Sequence, residues 1–440
     1  MAEEFLVAGT GFAVLLGLIA LRAPIGFAML LAGAAGYVHI LDSAALLQYL
    51  KSTPYFLFAN YTLSVIPLFI LMGALAERGG LARDLFTAAS ALIGHRRGGL
   101  AMGVIGACAC FGAVCGSSVA TTATFGRAAL PELRRHGYAP GFASGVIAVG
   151  GTLGILIPPS VILVVYAIST EQNIAKLFMA ALLPGLLATA LYIATIAILS
   201  RLRPADMPPA VPIGAAERRA AFRNVVPVLL IALVVVGGIY GGVFTPTESA
   251  GIGCMAVLVT GLARRTLPGR AIREALLATA ETTAMIFAIL LGAEVFNAFL
   301  ALSQAPDLLA VWITEQGYPA YGVLALLLLA YVVLGAVMDE LAMILLTLPV
   351  FFPVITALDF GLTPEETAIW FGILVLVVVG IGLTAPPIGL NVFVVSGLAR
   401  DIPIAATYRG VLPFLIADLI RLVVCVAAPG LSLCLVRLLT

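Results

Sequence analysis

Apolar residues run along this chain in long blocks with little alternation, separated by short clusters of charged residues, glycine and proline. A block of about 20 apolar residues suffices for a helix to cross a bilayer. Spans are predicted near 5–21, 24–41, 62–77, 139–169, 174–200, 225–241, 247–263, 276–302, 366–397 and 410–436. Two further stretches, 98–133 and 318–357, are each long enough for two helices and are interrupted midway by polar or small residues. Residues 44–60, with Lys51 and Pro54, predict an interfacial segment. The expected fold is all-α and polytopic, with about ten spanning helices and two re-entrant hairpins.

Composition excludes most alternatives. Of 440 residues, 62% are hydrophobic and 10% are charged, against about 25% charged in a soluble domain. A soluble enzyme or a disordered chain is excluded, and a net charge of +1 provides no field for nucleic acid. The six cysteines lie in apolar stretches without a paired CxxC, and His39, His95 and His136 sit at span ends; neither set predicts a metal centre. No Gly-Lys-Ser/Thr phosphate loop is present. The Met-Ala-Glu-Glu start lacks the basic region of a cleaved signal, so the first apolar run is expected to be retained.

Charge then orients the chain. With the N-terminus outside, only Lys51, Lys176 and Arg437 of the 23 basic residues fall outside, and Arg127 and Arg421 lie at membrane depth. Arg96-Arg97 and Arg134-Arg135 bracket 98–133, so that hairpin enters from the cytoplasm. The stretch 318–357 has only acids beside it and enters from the outside.

The two halves repeat one another. Gly94, Gly99 and Gly112-Ala113-Val114 match Gly317, Gly322 and Gly335-Ala336-Val337 at a constant offset. Pro24 matches Pro246, GYAP at 137–140 matches GLTP at 361–364, and Pro158-Pro159 matches Pro386-Pro387. A first repeat over 1–205 (hairpin 98–133, broken helix 139–169), a cytoplasmic linker over 206–224 and a second repeat over 225–440 (hairpin 318–357, broken helix 366–397) are expected. The opposite sides from which the hairpins enter make the repeats inverted, the architecture of secondary transporters with a site near the midplane.

Irregular backbone at membrane depth is tolerated only where protein buries it or a wet cavity lines it. Four breaks are expected: Gly116-Ser117-Ser118 with Thr121 and Thr122; Gly150-Gly151-Thr152 through Pro158-Pro159-Ser160; Asp339-Glu340; and Gly380, Gly382, Thr384, Ala385, Pro386, Pro387 and Asn391. Their carbonyls and hydroxyls are hard ligands for sodium, and half-helix N-termini attract a carboxylate. One cation site per half is predicted. Substrate is expected between the tips, against Gly116, Thr121, Pro158, Pro159, Ser160, Pro386, Pro387 and Asn391. The competing reading is that glycine and proline merely kink packed helices while Ser and Thr bond back to i−4 carbonyls.

Charges at membrane depth shorten the set of candidates. Asp418 and Arg421, three apart on one helix, are expected to neutralise each other. Asp339 either ligates a cation or caps the following half-helix, and Glu340 faces the outer water. Glu294 is either an ion relay or a bonded core acid. Arg127 either meets an anionic substrate or pairs with a scaffold acid.

The chain resembles, nearly end to end, the large membrane (M) subunit of the tripartite ATP-independent periplasmic (TRAP) transporters. IPLFILMGALAERGG at 66–80, CGSSVAT at 115–121, GTLGILIPPS at 151–160, LFMAALLPGLL at 177–187, GGVFTPTESAG at 241–251 and GLTAPPIGLNVF at 382–393 carry the resemblance. It implies a sodium-coupled elevator permease in the bacterial inner membrane, with no cofactor beyond the coupling ions. It also implies a small membrane subunit (Q) and a periplasmic binding protein (P) that delivers an organic acid. Carried over by motif, the sodium ligands fall at Ser117, Ser118 and the break holding Gly150, Gly151 and Thr152, and at Asp339, Gly382 and Thr384. The Gly-Ser-Ser-x-Ala-Thr form is closer to dicarboxylate-type members. This chain departs from the family pattern at Glu340, where Asp-Gly is common, and at Arg127, where small or aliphatic residues are common. A self-sufficient carboxylate carrier of related fold and an ion channel are the rival functions; an intramembrane enzyme lacks a His, Cys or metal constellation.

Overall fold

The computed structural model describes residues 2–210 and 214–439, leaving Met1, Thr440 and 211–213 of the expected linker outside the described residues. The described residues form twenty α-helices and two short 3₁₀ turns, with no strand among them. Seven helices are long and apolar enough to cross a membrane: Tyr61–Arg78, Ile174–Leu202, Ala215–Tyr240, Pro246–Ala263, Gly269–Ser303, Pro364–Gly382 and Ile404–Ala427. An eighth span arises if Pro140–Leu156 and Val161–Ser169, bent by 44°, are taken together. The expected runs 24–41 and 410–436 come out shorter. Ile25–Ile40 has 16 residues, about 24 Å of helix. The run 410–436 is broken after Ala427, because Pro429, with no N–H to donate, starts a separate helix to Leu439.

Both interrupted stretches are hairpins. The first comprises Gly99–Cys115 and Ser118–Arg135, the second Ala320–Gly335 and Glu340–Thr356. Gly116 turns the first at φ 66°, a left-handed conformation that favours glycine. The two ends of the first hairpin lie together: the Gly98 N–H donates to Met207 O and the Ala139 N–H to Asp206 O. Linker residues 206–207 thus tie down the hairpin base. At the base of the second hairpin, Tyr321 and Phe360 meet edge to face at 5.4 Å. The segment predicted to be interfacial is the helix Ser43–Phe58, started by Asp42, whose side chain accepts from the Ala45 N–H. The short helices Leu81–Ile93 and Ala305–Glu315 have no counterpart in the apolar pattern.

Pro364–Gly382 and Pro140–Leu156 are the most enclosed helices, buried from Thr367 and Phe142 onward respectively. Around them pack both hairpins, Ile174–Leu202 and Ile404–Ala427. Glycine permits the closest approach. A Cβ on Gly145 would sit 2.6 Å from the Gly410 carbonyl carbon, and one on Gly410 would sit 2.0 Å from the Gly141 oxygen. Small residues at such crossings let two backbones touch and supply packing where lipid offers no hydrophobic drive. A second set, Ile25–Ile40, Tyr61–Arg78, Pro246–Ala263 and Gly269–Ser303, flanks this body, and within it Ile25–Ile40 and Gly269–Ser303 also cross at glycine: a Cβ on Gly292 would lie 2.1 Å from Gly26 O.

The halves carry matching local structure. Pro158-Pro159 and Pro386-Pro387 are both cis. Two capping boxes, both within 225–440, start helices there: Thr245 with Glu248 begins Pro246–Ala263, and Thr363 with Glu366 begins Pro364–Gly382.

Candidate functional site

The two hairpin tips meet around a cavity of about 420 Å³. Gly116 and Ser117 line it from the first tip, Asp339 and Glu340 from the second, and Tyr61–Arg78 and Gly269–Ser303 close its far side. Ser117 is an N-cap whose side chain accepts from the Ala120 N–H. Asp339 plays the same part in the second hairpin, accepting from Leu341 N at 3.0 Å and Ala342 N at 3.4 Å. Capping therefore occupies one oxygen, Oδ1, of Asp339.

Behind the first tip the two halves are bonded together. Asn391, fully buried, donates through Nδ2 to Ser118 Oγ at 2.7 Å and to the Ala148 carbonyl at 3.0 Å. The Val161 N–H reaches Gly116 O at 3.4 Å, and a Cβ on Gly116 would lie 2.8 Å from Pro159 O. The first tip therefore sits directly on the Pro158-Pro159-Ser160 break. The second tip does likewise: Ile388 N donates to Ala336 O, and a Cβ on Gly382 would lie 2.6 Å from the Gly335 carbonyl carbon. Ser160 caps Val161–Ser169.

The first break lies further along the chain than its glycines suggest. Gly150, Gly151 and Thr152 belong to unbroken helix, and the interruption spans 157–160. Here the glycine pair serves packing: a Cβ on Gly151 would fall 1.7 Å from Thr122 Oγ1, and one on Gly150 3.0 Å from Cys108 Sγ. The second break spans 383–389, with Gly382 as the last helical residue before it. Thr121 bonds back to the i−4 carbonyl Ser117 O at 2.8 Å, and Thr384 to the i−4 carbonyl Gly380 O at 3.4 Å and to Ile381 O at 3.1 Å, in line with the competing reading of these hydroxyls.

Thr152 leads to a buried charge pair. Its Oγ1 lies 3.3 Å from the Tyr192 hydroxyl, which donates to Asp418 Oδ1 at 2.7 Å, while Arg421 Nη2 is 2.9 Å from the same oxygen. Asp418 and Arg421 therefore neutralise each other, at 1% and 0% side-chain exposure.

Arg127 is not among the residues lining the cavity between the tips. Its guanidinium pairs with Glu77, and it lines an adjacent cavity with Thr124. Glu77 and Arg78 line both cavities. They end an apolar run, where a charge looks like ordinary span termination, so sequence reasoning passed over them. Glu294 is exposed and lies within 3.5 Å of the Tyr49 hydroxyl, and Glu340, expected in the outer water, is buried against the cavity. Outside the membrane-spanning helices, Arg134 makes a two-point bond to Asp401 at 3.2 and 2.5 Å and holds its carboxyl below the usual carboxylate range.

An all-helical membrane protein whose two hairpin tips and two broken helices converge beside one cavity is, as a class, a solute-transporting permease rather than an enzyme. Residues 12–431 match the family described as the tripartite ATP-independent periplasmic transporter, DctM component, and the chain belongs to that family. It is 38% identical over 377 residues to the C4-dicarboxylate TRAP transporter large permease of Pseudomonas aeruginosa, covering 86% of each chain. It is 31% identical to the sialic acid TRAP transporter large permease of Vibrio cholerae, over 96% of this chain and 97% of that one. The crystal structure of the Alcanivorax borkumensis YdaH transporter shares the fold at a TM-score of 0.60 and 20% identity, covering 89% of this chain and 90% of that one.

Proposed function

We propose that this chain is the large permease subunit for sodium-coupled uptake of an organic acid across the bacterial inner membrane. A periplasmic binding protein delivers the acid, and a small membrane subunit works beside the permease. The convergence of both tips and both breaks beside one cavity carries this reading. In it, sodium binds at Ser117, Ser118 and the helix holding Gly150, Gly151 and Thr152, and at Asp339, Gly382 and Thr384. The acid lies between the tips. Residues 1–205 and 225–440 act as inverted repeats joined by a cytoplasmic linker over 206–224, with about ten crossings and a periplasmic N-terminus. The hairpins and broken helices move together as an elevator past the flanking helices.

Related permeases bear names for C4-dicarboxylates, sialic acid and isethionate. The first two are carboxylates and the third a sulfonate, which supports an organic acid as the substrate class and leaves the particular acid to experiment. The test is reconstitution in proteoliposomes, with and without the binding protein and with and without an inward sodium gradient. Uptake is expected only with both. Uptake without the binding protein would instead make this a self-sufficient carrier, and conductance without saturable uptake would make it a channel.

A further inference from the structure

We infer that the acid carried by this permease also bears a positively charged nitrogen, and that Glu340 is the residue that receives it. The inference rests on the proposed uptake of an organic acid and narrows its substrate class.

Four charged residues line the cavity between the tips. Three have partners within the protein. Glu77 pairs with Arg127, Arg78 lies 3.8 Å from Glu274, and Asp339 caps the helix that follows it. Glu340 is the exception. It is 8% exposed, it lines the cavity, and its buried Oε2 has no hydrogen-bond partner. A carboxyl so enclosed favours a group that can return the hydrogen bonds water would have made. A cationic N–H group satisfies it.

Another part of the lining has the reverse character. Val119 and Ala120 place the first turn of helix Ser118–Arg135 on the cavity. The Ala120 N–H is taken by Ser117, but first-turn N–H groups lack backbone acceptors within the helix and a helix N-terminus carries partial positive charge, so this part of the lining suits a carboxylate. The rest of the lining includes apolar side chains such as Ile70, Ile162, Ile286 and Leu341. A dianion would set its second carboxylate against Glu340, and a monoanion would leave Glu340 unpaired. A sodium ion alone has no use for apolar walls around 420 Å³. A zwitterion with an apolar body matches all three surfaces.

The test has two arms. Thermal stabilisation of the cognate binding protein is measured across ω-amino acids, α,ω-dicarboxylates and monocarboxylates of matched length, together with quaternary-ammonium and amidinium acids. The best ligand is then used for sodium-titrated uptake by wild-type permease, Glu340→Gln and Glu340→Asp. A nitrogen-bearing acid is expected to stabilise the binding protein. Glu340→Gln is expected to raise KM about tenfold or more with the sodium half-activation point unchanged, and Glu340→Asp to recover most of that loss. A dianion or monoanion as ligand overturns the inference, as does wild-type KM in Glu340→Gln. A change confined to sodium activation also overturns it, because Glu340 would then be an ion ligand. If Glu340→Gln does not fold, competition on wild type between the ligand and its deaminated isostere decides, and equal competition overturns the inference. Loss of sodium or binding-protein dependence in wild type counts against the proposed function instead, and leaves the charge preference readable.

Discussion

Asn391 and Ser118, 273 residues apart, bond at 2.7 Å where the second break meets the first hairpin tip. Both are fully buried, and Asn391 also holds the Ala148 carbonyl at 3.0 Å. Asn391→Ala strands these partners out of reach of water. The expected cost is about 1–3 kcal/mol for each buried group left unsatisfied, read as a lower melting temperature of the purified protein. A melting temperature equal to wild type would show that water or a neighbour replaces the amide.

Sodium dependence tests the tips themselves. Ser118→Ala and Asp339→Asn are each expected to shift the sodium activation curve to higher concentration. Asp339→Ala should also lose helix capping, about 0.5–2 kcal/mol. An unchanged sodium curve in both Ser118→Ala and Asp339→Asn removes these residues from the ion sites.

Gly382 allows the second tip to lie against its break. In Gly382→Ala the new methyl would sit 2.6 Å from the Gly335 carbonyl carbon. An overpacking cost of about 1–3 kcal/mol and loss of uptake are expected. Gly106→Ala, with nothing within 4 Å of its Cβ, should retain both stability and uptake. Equal behaviour of the two variants in size-exclusion chromatography and uptake would refute the close contact.

The buried pair behaves as a unit. Arg421→Met leaves Asp418 charged and enclosed, at an expected cost of about 3–5 kcal/mol. Adding Asp418→Leu should restore much of that stability. A double variant no better than the single one would mean that the guanidinium has a further role.

The bond from Arg134 holds the Asp401 carboxyl low, so acid should remove its contribution. That contribution is fully present above the unfolded carboxylate value of about 3.9 and fades as pH falls through the lower folded value. The melting-temperature difference between wild type and Asp401→Asn should be constant from neutral pH down to about 5 and close in stronger acid. Salt should shrink it, since both side chains are partly exposed. A difference that grows on acidification would contradict the assignment.

What could be read from sequence follows from which forces act locally. Apolar blocks mark most spans and both hairpins, because burial of apolar side chains acts on short segments. The prolines at 158–159 and 386–387 mark breaks because a missing N–H acts at its own position. Partners set by tertiary packing were not legible. Arg127 meets Glu77 across 50 residues, and nothing in either segment names the other. Glu340 was expected in water because a tip acid usually finds it; the helix it starts packs instead against Gly269–Ser303 and Val161–Ser169, and Glu340 is buried. Gly150-Gly151 looked like a break, yet the chain continues as helix there because Thr122 and Cys108 fill the space that side chains would take.

At Gly145 and Gly410 two main chains meet with no side chain between them. Glycine has nothing smaller to retreat to, so neither position can offset a change in the other. This seam is therefore closed to compensatory drift. A substitution that reshapes the cavity can be matched by a neighbouring side chain, whereas one at this crossing has to move a whole helix.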